Sequence, residues 1–382
     1  MITDKAEVSL LTCSSGEELY STFGHSAIRV KDTVTERDIV FNYGVFDFDT
    51  PHFYWKFVRG KLMYQLAIQQ TDRFLMAYSF EGRSVKEEPF NITQREKIQL
   101  IQFLKKNYKP ENRYYLYDFF YKNCSSIIWD VVTAQIDATL HYDSSVYQPK
   151  SFRQMLYPSL EELPWAKFGI DIALGTPSDK IASFKEQTYL PTYLSRNLSH
   201  TYRETSTNGN VKLLGKGQTL VEQEQDSTST FTLTPEIVFW IVFFILVIIT
   251  VFMQRGKTKN TIDYLFFALQ GLLGLLLLFL WFGTDHQSMH ANLNLLWANP
   301  LAILLLFVLR KKKNKLKIVV LGMLFLGAMV TLIGWNLLPQ HFHPAFIPIC
   351  LSVMVRVTDH IVQMKGYTSI FAILRQSILK YK

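Results

Sequence analysis

Apolar residues are distributed very differently in the two halves of this chain. After residue 234 they gather into long runs, Pro235–Met253, Ile262–Phe282, Leu293–Leu309, Leu316–Trp335 and the shorter Pro344–Val357. About 17–25 apolar residues cross a bilayer as a helix, so the pattern predicts about five spans. The first two are too long for buried core helices; the fifth fits either reading. Asn299-Pro300 lies inside the third run, where proline breaks the helical ladder and frees backbone carbonyls at membrane depth, a setting in which polar groups are functional candidates.

Before residue 235 the periods are shorter. LLTC reads as a strand ending in a Ser-Ser-Gly turn, and HSAIRV and DIVFNYGVF as two strands joined by DTVTER. Thr71–Phe80 reads as a helix. TQREKIQLIQFLKKN reads as another, opened by a capping box from Thr93 to Glu96. RYYLYDFFY is aromatic and extended, and Cys124–Ile136 has the apolar face of a helix. Tyr142–Tyr202 reads as irregular structure with short helices, VKLLGKGQTLVEQEQ as a terminal hairpin, and DSTSTFTLT as a linker. The predicted organisation is an α+β extracytoplasmic domain over residues 1–205, a hairpin and linker over 206–234, and a five-span helical membrane domain over 235–382.

Charge sets the orientation. The formal net charge is +8, but many of the late basic residues form short runs beside the spans. That is the signature of cytoplasmic loops and not of a nucleic-acid surface. QRGKTKN, RKKKNKLK and the tail from Arg356 onward follow spans one, three and five, while GTDHQSMHANLN and NLLPQHFHP carry no Lys or Arg. Residues 1–234 are therefore expected outside, in the periplasm, with the spans in the inner membrane of a double-membraned bacterium. A leader ahead of residue 1 is expected to have directed them there.

The chemistry candidates follow from that placement. Of Cys13, Cys124 and Cys350, the last falls in span five, and the other two lie where a disulfide is permitted. Asn123 is a preferred N-cap residue, which puts Cys124 in a first helical turn where free N–H groups and the dipole favour a thiolate and an oxyanion. A packing cysteine is the plain alternative. A thiol nucleophile needs a base, and His25, after Gly24 at a strand start, is the best placed of His25, His52, His141 and His200. A third group usually orients the imidazole. Asn42 or Tyr43 on the neighbouring strand fits, with Asn42 preferred; register decides between them. Cys13 is the rival thiol: a second nucleophile, a disulfide partner for Cys124, or a filler. Possible supporting residues are Tyr20 as an oxyanion donor, Glu18 for an acceptor amine, Asn123 and Ser125 at the helix start, and Arg83, which with Asp118 forms a candidate buried pair. Asp285, His286, His290, Asn292 and Asn294 in one outer loop, and His341 and His343 in another, read as a polar collar for lipid headgroups or as solvated loop ends. No metal or cofactor is called for.

An early strand His, a polar residue on the next strand and a later Asn-Cys at a helix start resemble the circularly permuted NlpC/P60 group of papain-like enzymes, which includes the lecithin:retinol acyltransferase-like thiol acyltransferases. More closely, ELYSTFGHSAIRV, FNYGVFDFDTPHFYWKFVRGKLMY, YSFEGRSV and NRYYLYDFFYKNCSS resemble the Lnb N-terminal domain family, and the five runs that follow resemble the whole-chain arrangement of the Lnb lipoprotein N-acyltransferases of Bacteroides-type bacteria. The resemblance implies a papain-like fold with Cys124 as nucleophile and His25 as base; Asn42 matches more loosely. It implies a phospholipid acyl donor, a diacylated apolipoprotein acceptor and no cofactor. A membrane-bound thiol phospholipase or amidase, and a non-enzymatic lipid- or protein-binding sensor, remain alternatives.

Overall fold

The structure, a computed structural model, describes residues 3–18, 20–205, 209–222, 233–253, 257–311 and 314–364. The predicted linker, the basic loops after spans one and three, and the tail lie wholly or partly outside these residues. The chain forms two compact units: Met1–Leu160 with Lys180–Ser229, and Glu161–Asp179 with Thr230–Lys382.

The first unit is mixed α/β. Its main sheet is built from β1 (Glu7–Cys13), β2 (His25–Asp32), β3 (Arg37–Val45), β4 (Met63–Gln70), β5 (Val85–Pro89), β6 (Tyr114–Leu116) and the late β10 (Gln218–Val221), in the order β10-β5-β1-β2-β3-β4-β6. Every neighbouring pair is antiparallel. A second sheet orders β7 (Leu140–Tyr142), β8 (Thr201–Thr205) and β9 (Gly209–Lys212). The helices of this unit are α1 (Phe53–Val58), α2 (Thr71–Phe80), α3 (Gln94–Asn107), α4 (Cys124–Thr133), α5 (Phe152–Leu156) and α7 (Pro191–Ser199); α6 (Pro164–Ala173) belongs to the second unit.

Strand alternation assigns the two sheet faces. Val8, Leu10, Ile28, Val30, Phe41 and Tyr43 point toward α3, α4 and α7 and share one core with Leu100, Ile128 and Leu194. Leu11, Cys13, Ala27, Val40 and Val85 point the other way and bury Phe74 of α2. The capping box of α3 forms as its sequence predicts: Glu96 N–H donates to Thr93 Oγ1 at 3.3 Å and Thr93 N–H to Glu96 Oε2 at 2.7 Å.

Three expectations are corrected. VKLLGKGQTLVEQEQ is not a hairpin, because β9 pairs with β8 and β10 with β5 in the other sheet. Buried Leu213 and Leu214 hold the crossover against the core. RYYLYDFFY is extended only over Tyr114–Leu116; Asp118 then accepts the Phe120 and Tyr121 amides and turns the chain. The boundary near residue 205 also differs: residues up to 222 stay with the α/β unit, while Glu161–Asp179 join the helical one. Phe168 of α6 packs among Trp297, Phe342 and Phe346, which supplies the apolar reason.

The second unit contains α8 (Pro235–Phe252), α9 (Lys257–Phe282), α10 (Leu305–Val308), α11 (Lys315–Ile333) and α12 (Phe346–Met364). Among the described residues four helices are long and apolar enough to cross a membrane; the segments Gln287–Leu296 and Pro300–Val308, bent by 55°, make a fifth, broken candidate. The break falls at Asn299-Pro300. Asn299 Oδ1 accepts the Leu301 amide at 3.0 Å, and Gln270 of α9 donates to the Trp297 carbonyl at 2.5 Å. Backbone groups released at the bend are thus satisfied from within the protein, as a low-dielectric setting requires. The helix expected to end at Val357 runs on to Met364, and Arg356, expected to begin a cytoplasmic tail, is fully buried within it.

Candidate active site

The α/β unit brings His25, Asn42 and Cys124 together at one end of β2 and β3. Gly24, at φ +75°, turns the chain into β2, and a Cβ there would lie 2.7 Å from the Cys13 carbonyl oxygen. His25 therefore starts its strand directly opposite Cys13. Ile28 pairs with Phe41, so alternation puts His25 and Asn42 on the same face and Tyr43 on the other. His25 Nε2 lies 2.6 Å from Asn42 Oδ1. With that oxygen accepting, Nε2 carries the hydrogen and Nδ1 is left for the sulfur, whose charge favours the protonated ring. Tyr43 enters the α3/α4 core and its hydroxyl donates to Asn107 Oδ1 at 2.6 Å.

Cys124 is the first residue of α4. Asn123 Oδ1 accepts the Ser125 and Ser126 amides at 3.0 and 2.9 Å, and Asn123 Nδ2 donates to the Phe119 and Tyr189 carbonyls. The Ser125 hydroxyl donates to Ser26 Oγ at 2.9 Å, tying the helix start to β2. Asn123 and Ser125 thus fix the position of the thiol. The β3–β4 ladder shifts register between Asn42 and Val45, and Gly44, at φ +88°, sits in the bulge. A Cβ on Gly44 would lie 3.4 Å from Cys124 Cβ and 3.9 Å from His25 Cε1. The bulge is therefore the place where the helix start meets the strand end.

Electrostatics separate the two thiols of this unit. Burial pushes the Cys124 thiol up, but the facing His25 charge, its hydrogen bond, the Ser26 amide and the Ser125 hydroxyl outweigh it and bring the pKa down to about 7. Burial lowers His25, yet the Cys124 charge and bond and the Asn42 bond leave it raised overall. The pair therefore favours a thiolate and an imidazolium near neutral pH. Burial instead pushes Cys13 up to about 12. That thiol stays protonated within the α2-side core, beside Tyr78.

Two tyrosines beside the sulfur were not singled out by the sequence. Burial raises both Tyr115 and Tyr117, with the Cys124 charge as the next cause, and both stay protonated. The Tyr115 hydroxyl is buried, has the Gly44 amide beside it, and has no acceptor for its proton among the described residues. RYYLYDFFY holds six aromatic residues with period-2 ambiguity, so only the β4–β6 register, pairing Tyr64 with Tyr115, shows which side each faces.

The remaining candidates are placed elsewhere. Tyr20 is 74 % exposed in the loop before β2, and Glu18 is exposed with its carbonyl accepting the Ser21 amide. Arg83 does not pair with Asp118. Its guanidinium donates to the Ser14 carbonyl at 2.8 Å and to Glu81 at 2.7 Å, over the Tyr78 ring. In the second unit Asn292 and Asn294 are buried and donate to the carbonyls of Asp171, Ile172 and Ala173, so they hold the end of α6 and present no open lipid collar. His290 Nε2 lies 3.5 Å from the Thr284 carbonyl, His286 begins a short 3-10 turn, and Asp285 is exposed. His343 is buried 3.5 Å from Glu236.

Residues 1–158 match the Lnb N-terminal periplasmic domain, and residues 225–367 match the Lnb transmembrane domain. The chain belongs to the Lnb family. No curated protein and no solved structure matches it. As an Lnb-family chain it is a multi-pass membrane protein carrying a periplasmic α/β domain, and the Cys124–His25–Asn42 cluster lies inside that domain.

Proposed function

We propose that this Lnb-family protein is a lipoprotein N-acyltransferase of the inner membrane, working through a Cys124 thioester in a papain-like periplasmic domain. The observation that carries the reading is the pairing of buried Cys124, at a capped helix start, with half-buried His25, whose far imidazole nitrogen is held by Asn42. The thiolate attacks an ester carbonyl carbon of a phospholipid. Because Asn123 takes up the Ser125 and Ser126 amides, the oxyanion formed is held by the Cys124 amide at the start of α4 and by the Tyr115 hydroxyl. On collapse the C–O bond breaks, and the lysophospholipid leaves with the proton from His25. The α-amine of a diacylglyceryl cysteine then gives a proton to His25 and attacks the thioester; the C–S bond breaks and an amide forms. Neither step needs a cofactor. Cys124 is buried, which disfavours water as the acceptor while the thioester waits.

Intact-protein mass of the purified chain after incubation with phospholipid alone should show a hydroxylamine-sensitive acyl adduct that maps to Cys124. A diacylated lipopeptide should then discharge it to a triacylated product. Discharge by water at the same rate would favour a thiol phospholipase, and absence of any adduct in folded, reduced protein would sink the two-step route.

The pH dependence has a defined sign. Adduct formation should rise with pH through about 7 as Cys124 ionises and fall again as His25 loses the proton it gives the leaving group. Asn42→Ala removes one of the contacts that raise His25, so the alkaline limb should move to lower pH. An unchanged profile would show that Asn42 does not act through the imidazole. Tyr115→Phe should lower the acylation rate by about 10²-fold with little change in melting temperature, the loss expected for one oxyanion donor. A loss of less than a few-fold would remove Tyr115 from that role.

A further inference from the structure

Between the Gly44 bulge and β4 the chain presents an unusual surface. The segment 46–63 places Phe48, Tyr54, Trp55 and Phe57 largely outside the core, with Tyr54 78 % and Phe48 67 % exposed. Neighbouring aromatics of that size normally bury their area, and a contiguous exposed patch marks a binding surface. Lys56, Arg59 and Lys61 fringe it, with the Arg59 guanidinium 5.7 Å from the centre of the Trp55 ring. Trp and Tyr beside Lys and Arg form the side-chain set that settles at the headgroup level of a bilayer, where amphipathic rings and cations meet phosphate.

The inner side of the same segment leads to the candidate site. Phe53, Leu62 and Tyr64 form a small core with Phe46, Tyr115 and Tyr117. Tyr64 stacks on Tyr117 at 4.3 Å, and the Tyr115 and Tyr117 hydroxyls both feel the Cys124 charge. One short stretch of chain thus carries exposed aromatics on its outside and abuts the thiol's neighbours on its inside.

We propose that segment 46–63 is a bilayer-docking loop, which inserts Phe48, Tyr54, Trp55 and Phe57 among phospholipid headgroups with the basic fringe on phosphate. It thereby presents an acyl ester to Cys124 directly from the leaflet. A phospholipid leaflet fits better than a protein partner for two reasons: the chain spans the membrane itself, and Lys56, Arg59 and Lys61 outnumber Asp47 and Asp49, the exposed carboxylates that flank Phe48. Docking stands on this surface alone; acyl delivery rests on the donor reading given above.

The test separates the two. In the full chain with Cys124→Ala, Tyr54→Cys carries an environment-sensitive fluorophore in nanodiscs of phosphatidylethanolamine and phosphatidylglycerol; Cys13 and Cys350 are buried. Val34→Cys, at an exposed position in the β2–β3 turn, is the reference. Docking requires blue-shifted emission, protection from iodide and quenching by headgroup-proximal doxyl lipid at position 54 but not at 34. Iodide access equal to that at 34 overturns the proposal. Protection without doxyl quenching also overturns it, and assigns the surface to a protein or a second copy. With Cys124 intact, Phe48→Glu with Tyr54→Glu should slow acylation from nanodisc phospholipid about tenfold while leaving acylation by water-soluble p-nitrophenyl butyrate unchanged. Equal rates from nanodisc phospholipid would overturn delivery. A protein that is docked by fluorescence yet acylated by neither ester would instead overturn the acyltransferase reading and leave docking in place.

Discussion

Cys124→Ala is expected to abolish the acyl adduct and lower acyl transfer by about 10³-fold or more, while Cys13→Ala leaves both in place. The two thiols differ in surroundings. Cys124 opens a capped helix against His25 and is held near neutrality at about 7. Cys13 ends a strand in an apolar cluster and is pushed up to about 12. At neutral pH the first therefore supplies thiolate readily and the second almost none. His25→Ala should fall about as far as Cys124→Ala, and the double variant no further, because residues acting as one unit are not additive. Acyl groups released by hydroxylamine, counted by mass spectrometry, give the readout. An adduct of undiminished yield in Cys124→Ala would move the nucleophile elsewhere, and its loss in Cys13→Ala with an unchanged melting temperature would point to Cys13.

Asp263→Ala should destabilise the helical unit by about 3–5 kcal/mol, the usual cost of removing one member of a buried ion pair. Arg356 of α12 is fully buried. Its Nε donates to Asp263 Oδ1 of α9 at 2.8 Å, and its NH1 donates to the Thr250 hydroxyl of α8. Asp263 Oδ2 also holds His360 Nε2 at 3.0 Å, and Lys259 pairs with Asp359 at 3.1 Å. Three helices are thus joined by charges that have no water to fall back on. Removing the carboxylate leaves the guanidinium only the Thr250 hydroxyl and the Asp359 carboxylate, 3.5 Å away and already paired with Lys259. Asp263→Leu combined with Arg356→Met should recover most of the loss, since a neutral, packed replacement avoids the desolvation cost. Thermal unfolding in nanodiscs measures both. A melting temperature unchanged in Asp263→Ala would show that the cluster does not hold the helices together.

The same residues show where local sequence stopped short. Arg356 and Lys259 sit in stretches that read as basic loop and tail, and only the approach of α9 and α12 reveals carboxylates facing them. The third apolar run is equally legible in part: Asn299-Pro300 marks the break, but the 55° bend and the Gln270 bond that satisfies it depend on α9. Gly327 makes the related point, since a Cβ there would lie 2.0 Å from the Leu296 carbonyl oxygen.

By itself the sequence determined the features that depend on neighbours along the chain. Apolar run length set the number of candidate spans, the Thr93 and Asn123 caps set where α3 and α4 begin, and alternation set β2 and β3. These are local because capping, periodicity and span length are satisfied within one segment. Tertiary structure decided what depends on partners far apart in sequence. Strand register chose Asn42 over Tyr43 for the face of His25, because a one-residue slip exchanges the two faces. It brought Tyr115 toward the sulfur, moved Arg83 to Ser14 and Glu81, and sent β9 and β10 to different sheets. Each of these outcomes is fixed by a long-range hydrogen bond or a shared core, and no single segment of the sequence contains both partners.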